Sequence, residues 1–308
     1  MKDISYIQKY QEFDNLEFIA KQVVEGFITG LHRSPFHGFS VEFAEHRLYN
    51  SGESTKHIDW RLFARTEKLF IKKYQEETNL RSHIVIDTSS SMLFPFEKNK
   101  INNKLSFSIY CAASLIYLLR KQRDAVGLSL FSDNLELHTK SKTSNSHIKM
   151  LYAELNNLLN QKLKNYKKKI TKTSNILHLI AENVHKRSLI IIFSDMFEKE
   201  NKEDLFSAIQ HLRYNKHEVI LFHVKDKKQE QNFEYKNRPY KFIDLETGEQ
   251  MKFNPNDLRE NYVKKINDYF SEIKLKCGQY KIDFIESDIN EGFKKILMPF
   301  LLKRKKLF

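Results

Sequence analysis

Glycine and proline are scarce in this chain, with 8 and 5 among 308 residues. Loop-rich and all-β scaffolds consume both residue types at every turn, so that class is disfavoured. Cysteine occurs only at Cys111 and Cys277, with no Cys-x-x-Cys pair. No disulfide framework and no thiolate zinc site is indicated. Cys111, among Ala112, Ala113 and Leu115, reads as a small buried hydrophobe. The longest apolar stretches, Tyr110 to Leu119 and Ile296 to Leu302, fall short of the roughly 20 residues that span a bilayer. The opening Met1-Lys-Asp-Ile-Ser-Tyr-Ile-Gln lacks the apolar core of a signal peptide. A reducing, cytoplasmic location is expected. Gly-x-Ser-x-Gly is missing, so a hydrolase nucleophile elbow is unsupported. So is Gly-x-x-x-x-Gly-Lys-[Ser/Thr], so the chain is not expected to be an ATPase itself.

Hydrophobic residues make up 41% of the chain and charged residues 30%, with a net charge of +13. That is enough apolar material for a substantial core, and the charge suggests an acidic partner, nucleic acid or an anionic membrane face. The charge is densest at Lys162, Lys164, Lys167, Lys168, Lys169 and Lys172, and again at Lys303, Arg304, Lys305 and Lys306. Neither run carries the interleaved aromatics of RNA-binding modules, so nucleic acid is not the expected partner. The last segment, Phe293 to Leu302 with the cations behind it, reads as a helix. It can pack on a sheet with the cations offsetting its dipole, or make peripheral contact with an anionic membrane.

Apolar spacing predicts a helix over residues 1–30, ended by Gly30. Gly38-Phe-Ser-Val-Glu-Phe43 and Leu69-Phe-Ile-Lys-Lys-Tyr74 read as strands. The polar loop between them, Arg47 to Arg65, holds the single tryptophan. Its Arg47, Asp59, Trp60 and Arg65 suit either a packed polar network or an interaction face. From Ser82 onward strands and helices alternate. Strands are expected at Ile84–Ile86, Ala125–Phe131, Leu135–His138, Leu189–Phe193, Val219–Val224 and Ile282–Ile285. Helices are expected at Leu105–Leu119, His147–Leu163, Ile176–Val184, Leu205–Leu212 and Leu258–Ile273, with a hairpin at Tyr240–Phe253. This pattern predicts an α/β fold: a doubly wound, mostly parallel sheet with helices on both faces. A small β-containing module precedes it. The expected division is 1–80 for the N-terminal helix and module, 81–290 for the α/β domain with a hairpin insertion near 226–254, and 291–308 for the basic terminal helix.

Chemistry-bearing residues gather where strands end. Asp87, Ser89 and Ser91 follow Ile84-Val-Ile86; Thr173 opens a helix; Asp195 follows Leu189-Ile-Ile-Ile-Phe193. Open α/β sheets place ligands at the carboxyl ends of their strands. The side chains offer only oxygen donors, the type taken by hard cations such as Mg²⁺. Singly, each has a plainer reading: a Ser-rich turn before a helix, an N-cap at Thr173, a loop carboxylate at Asp195. Jointly they predict a divalent-cation site with few formal charges, suited to a carboxylate offered by another protein.

The order Asp-x-Ser-x-Ser, then Thr, then Asp after an apolar strand resembles the metal-ion-dependent adhesion site (MIDAS) of von Willebrand factor A domains. That resemblance implies Ser89, Ser91 and Thr173 as ligands of Mg²⁺ (or Mn²⁺ or Ca²⁺), with Asp87 and Asp195 acting directly or through water. The flanks resemble the bacterial domain-of-unknown-function 58 family: Gly38-Phe-Ser-Val-Glu-Phe43, Arg47-Leu-Tyr49, Gly52-Glu53, His57-Ile-Asp-Trp60, Ala64-Arg65, Tyr74-Gln-Glu-Glu77, Asp244-Leu-Glu-Thr-Gly248 and Phe300-Leu-Leu-Lys-Arg304. It implies a non-enzymatic adaptor that works with a MoxR-type AAA+ ATPase in assembling or activating a client protein. The alternatives are a metal-dependent hydrolase using Asp87, and a basic protein that binds nucleic acid or an anionic membrane.

Overall fold

The computed structural model describes residues 16–31, 45–49, 60–73, 80–95, 103–164, 173–197, 202–244, 248–292 and 298. The chain divides into two compact units, one of Ile28–Asn79 and one of Met1–Phe27 with Leu80–Phe308. Helix α1 (Leu16–Leu31) therefore contributes its first turns to the larger unit rather than to a module running from residue 1 to 80. There Glu17 pairs with Arg120 at 2.5 Å and Glu25 accepts from Tyr117 at 3.1 Å.

In the smaller unit, β1 (Glu45–Leu48) pairs antiparallel with β2 (Phe70–Lys73), and α2 (Trp60–Thr66) lies between them in sequence. The expected polar loop over 47–65 thus contains a strand and a short helix. The partner of β2 is Glu45-His-Arg-Leu48, whose side chains show no apolar alternation to announce a strand. The strand expected at 38–43 lies outside the described residues, as does the terminal helix except for Met298.

The larger unit is built on a six-stranded sheet. Its strands are β3 (Arg81–Asp87), β4 (Ala125–Phe131), β5 (Leu135–His138), β6 (Leu189–Ser194), β7 (Glu218–Lys225) and β10 (Asp283–Asp288), in the order β10-β7-β6-β3-β4-β5. Every pairing is parallel except that of β5, an antiparallel edge strand next to β4. The helices between them are α3 (Lys104–Lys121), α4 (Asn145–Lys164), α5 (Thr173–Asn183), α6 (Lys202–Tyr214) and α7 (Pro255–Gln279). The short hairpin of β8 (Tyr240–Ile243) and β9 (Gln250–Phe253) precedes α7.

Central strands buried on both faces read as unbroken apolar runs, which is what Ile84-Val-Ile86 and Leu189-Ile-Ile-Ile-Phe193 are. Val85, Ile190, Ile192, Val219 and Leu221 face a core completed by α5, α6 and the end of α7. The alternate residues turn to the opposite face, where Phe193 stacks on Phe222 with centroids 4.9 Å apart. Helix α3 lies against β3 and β4, and nearly all of its residues are buried. Its start is fixed by a capping box, in which Asn103 and Ser106 each satisfy the other's backbone N–H.

With so little glycine, the tight returns into the sheet use other residues. Arg123, Arg187, Lys216 and Lys281 have φ of 60°, 60°, 60° and 56°, and they precede β4, β6, β7 and β10 respectively. All four are exposed at the amino ends of the strands. Within the sheet, Gly127 leaves room for His83: a Cβ there would stand 2.5 Å from His83 Nδ1. His83 Nε2 lies 2.8 Å from Ser129 Oγ, and burial lowers its pKa to about 3.

Candidate functional site

The chain leaves β3 toward β4 on one side and leaves β6 toward β7 on the other, although β3 and β6 are neighbours. The crevice at their carboxyl ends is therefore a switch point, the place where such sheets bind ligands. The register pairs Ile86 with Phe193, which sets Asp87 beside Ser194. Ser194 Oγ donates to Asp87 Oδ2 at 2.7 Å and itself accepts from the Met196 N–H at 2.9 Å.

The loop after β3 is shaped by its side chains. Thr88 turns toward β4, donating from its hydroxyl to the Phe131 carbonyl at 2.8 Å and to Glu136 at 3.1 Å. That leaves Ser89 on the Asp87 side, where its N–H donates to Asp87 Oδ1 at 2.9 Å. The hydroxyls of Ser89 and Ser91 lie 2.9 Å apart. Ser89 precedes the short turn Ser90–Leu93 without capping it. Asp87 and Ser89 are buried, whereas Ser91 is half-exposed. The Ser89 hydroxyl thus bonds Ser91 instead of capping the turn.

Asp195 follows β6 directly and is also buried. Its Oδ1 accepts from the Phe197 N–H at 3.2 Å, as in an ordinary loop turn. Its Oδ2 accepts from Lys104 Nζ at 2.8 Å. Lys104 is the first residue of α3 and is wholly buried, pairing as well with Glu230 and lying 5.6 Å from the Phe197 ring centre. The two carboxylates hold its pKa above the usual lysine value against the opposing effect of burial. Glu230 belongs to the turn Lys227–Gln231, and its other oxygen accepts from the Asp226 N–H at 2.8 Å. Burial raises its pKa, and Lys104 opposes that rise.

Burial, and after it the negative charge of Asp195, raises the Asp87 pKa to about 7, against hydrogen bonds from Ser89 and Ser194 that favour the carboxylate. Asp87 and Asp195 are thus close enough to repel each other in a dry setting. Thr173 opens α5, whose Ile176 and Leu177 pack in the core with Val85 and Phe131. Its hydroxyl is buried and has no hydrogen-bond partner, so it caps nothing. Such an orphaned hydroxyl costs on the order of 1–3 kcal/mol unless something accepts or coordinates it.

The structure therefore links Asp87, Ser89 and Ser91 by hydrogen bonds and couples Asp195 to them electrostatically. Thr173 has an unused oxygen and no bond to the other four. The donor set fits a hard cation: oxygens only, part of them buried, with an unsatisfied hydroxyl among them. Carboxylates alone do not make a cage, because among the described residues no three His, Cys, Asp or Glu side chains converge as metal ligands. Of the residues named for an interaction face, Arg47 lies in β1 opposite Ile71. Trp60 is 61% exposed and packs edge-on against Phe63, Arg65 is exposed in α2, and Asp59 is outside the described residues.

Sequence reasoning missed Lys104, Ser194 and Glu230. Ser194 carried a signal, standing between the apolar strand and Asp195. Lys104 carried a weaker one, since a cation in the first turn opposes the helix dipole. Glu230, in a polar stretch, carried none.

An α/β protein with an oxygen-donor cluster at the switch point of its sheet is the class that fold and site define. Residues 45–269 match the family described as "Protein of unknown function DUF58", and the chain belongs to that family. Among curated proteins, "Uncharacterized protein Rv1480" of Mycobacterium tuberculosis is 24% identical over 132 residues, or 43% of this chain and 41% of that one. "Uncharacterized protein Mb1516" of Mycobacterium bovis gives the same figures. The match thus spans less than half the length of either relative. Among solved structures, the conserved hypothetical protein BatB from Bacteroides thetaiotaomicron aligns with a TM-score of 0.43 and 13% identity, over 74% of this chain and 98% of that one. An uncharacterized membrane-spanning protein from Vibrio fischeri aligns at 0.23 and 15%, over 73% and 97%. Among the described residues no helix is long and apolar enough to cross a membrane.

Proposed function

We propose that this protein is a non-enzymatic, metal-dependent protein-interaction module of the von Willebrand A type. In this reading Ser89, Ser91 and Thr173 hold a divalent cation, Mg²⁺ by preference, with Asp87 and Asp195 in support. The cation supplies an open coordination position for an acidic side chain of a client protein. The observation that carries the reading is the Asp87–Ser89–Ser91 cluster beside Asp195 at the switch point; the buried, unpartnered hydroxyl of Thr173 supports it separately. Asp87 spends one oxygen on the Ser89 N–H and the other on Ser194 Oγ. That suits a group that orients its neighbours better than a nucleophile, and it favours a binding role over a hydrolase. The partner in this reading is a MoxR-type AAA+ ATPase, with which the module acts in assembly or activation of the client, in the cytoplasm.

Calorimetric titration with Mg²⁺ tests the site. Wild type should bind, and Asp87→Ala should abolish binding while the far-UV CD spectrum stays native. A variant that binds with unchanged affinity refutes the site. Pull-down from native lysate with and without chelator tests the partnership. Retention of an ATPase only when divalent cation is present is the expected result, and retention indifferent to chelator refutes metal dependence.

A further inference from the structure

Lys104 is the strongest unexplained group in the molecule. Its ammonium is wholly buried, although it sits in the first turn of α3, where the helix dipole favours negative charge. Burying an ion pair rarely improves stability over an apolar side chain of similar volume. A lysine whose Nζ meets Asp195 at 2.8 Å and also pairs with Glu230 therefore calls for a use beyond holding the fold together.

The charges around the site suggest that use. Asp87 and Asp195, both buried, and the partly buried Glu230 are three carboxyl groups joined through Ser194 and Lys104. The other charged groups nearby are engaged elsewhere. Lys225 pairs with Glu286 at 2.6 Å, and Asp226 accepts from the N–H groups of Lys228 and Gln229 within its own turn. His223 donates to the Asp195 backbone carbonyl at 3.0 Å and is held neutral by burial. With all three carboxyls ionised, the single ammonium leaves the cluster at −2.

We propose that Lys104 is a built-in counter-ion that sets the charge of the cluster to match a divalent cation, and so makes it the residue that fixes the valence preference of the site. The proposal rests on the reading of the site as a cation site. It adds that the match is tuned by a residue that is not itself a ligand. Lys104 cancels one carboxylate charge permanently. Glu230, which it reaches from α3, supplies the third negative charge from the turn after β7. Lys104 alone trims the attraction for a more highly charged ion, Glu230 opposes that trimming, and neither blocks the serine and threonine oxygens.

A charge series tests this in the full-length protein. Lys104→Met takes the cluster to −3, Glu230→Gln to −1, and the double variant back to −2. Affinities for Mg²⁺ and Tb³⁺ are measured by calorimetry, with thermal melts alongside. Each unit of cluster charge should change the ratio of Tb³⁺ to Mg²⁺ affinity by roughly tenfold, rising in Lys104→Met and falling in Glu230→Gln. The double variant should return to the wild-type ratio. A merely structural lysine predicts destabilisation with the ratio unmoved in all the variants, and that result overturns the proposal. If Lys104→Met does not fold, Glu230→Gln still decides it, because it keeps the Lys104–Asp195 pair. Failure of wild type to bind either ion defeats the cation-site reading and this proposal with it. Binding with an invariant ratio defeats this proposal alone.

Discussion

Replacing Asp87 with asparagine should make the metal-free protein more stable at pH 8. A side chain that titrates near 3.8 in the unfolded chain is pushed to about 7 in the fold, so the fold holds its proton more tightly. Below about pH 4 both states are protonated and Asp87 costs nothing. Between about 4 and 7 the unfolded chain releases its proton while the fold lags, and stability falls as pH rises. Above about 7 the penalty is complete, at about 4 kcal/mol. Asparagine keeps an oxygen for the Ser89 N–H and turns its amide toward Ser194 Oγ, whose hydroxyl must then accept rather than donate. Allowing about 1 kcal/mol for that weaker bond leaves a gain of about 3 kcal/mol. For a unit of this size that raises the melting temperature by roughly 5–10 °C. Thermal melts of both proteins in chelator-treated buffer, from pH 4 to pH 8, read the difference directly. The gap should close toward pH 4, and Mg²⁺ at pH 8 should stabilise wild type alone. A variant that melts below wild type at pH 8, or a gap independent of pH, refutes the assignment of a strained, cation-awaiting carboxylate.

Thr173→Val should leave chelated stability equal or slightly higher, because the lost hydroxyl has no partner, yet weaken Mg²⁺ binding by roughly tenfold in calorimetry. Gly127→Ala should cost about 1–3 kcal/mol in urea unfolding, since its Cβ would meet His83 at 2.5 Å and Ser141 Oγ at 2.9 Å in a buried strand. Burial lowers the His223 pKa to about 4, so the unfolded chain takes up a proton that the fold refuses as pH falls from about 6.5 to 4. Wild type should lose about 3 kcal/mol across that window through this residue. His223→Gln should flatten the acid limb of urea midpoints by that amount.

The sheet was legible wherever burial on both faces forces a run of branched apolar residues, as at Ile84–Ile86 and Leu189–Phe193. It was less legible at its margins. Strand β10 extends through Glu286-Ser-Asp288, where polar residues hide the pattern, so the expected Ile282–Ile285 was too short. Strand β1 and helix α2 were missed because four polar-leaning residues and a seven-residue helix give too little periodicity to see. Asp87, Ser89, Ser91 and Asp195 could be named because each stands directly after an apolar strand. Lys104 could not be connected to them, because its partners Asp195 and Glu230 lie 91 and 126 positions away along the chain. Only the side-by-side pairing of β3, β6 and β7 in the sheet brings those charges together.

The corners made by Arg123, Arg187, Lys216 and Lys281 give the molecule an electrical polarity. Each sits at the foot of a parallel strand, so cationic side chains collect at one pole while Asp87 and Asp195 lie at the other. A polyanion that recognised those four side chains would sit at the amino ends of the strands, away from Asp87 and Asp195.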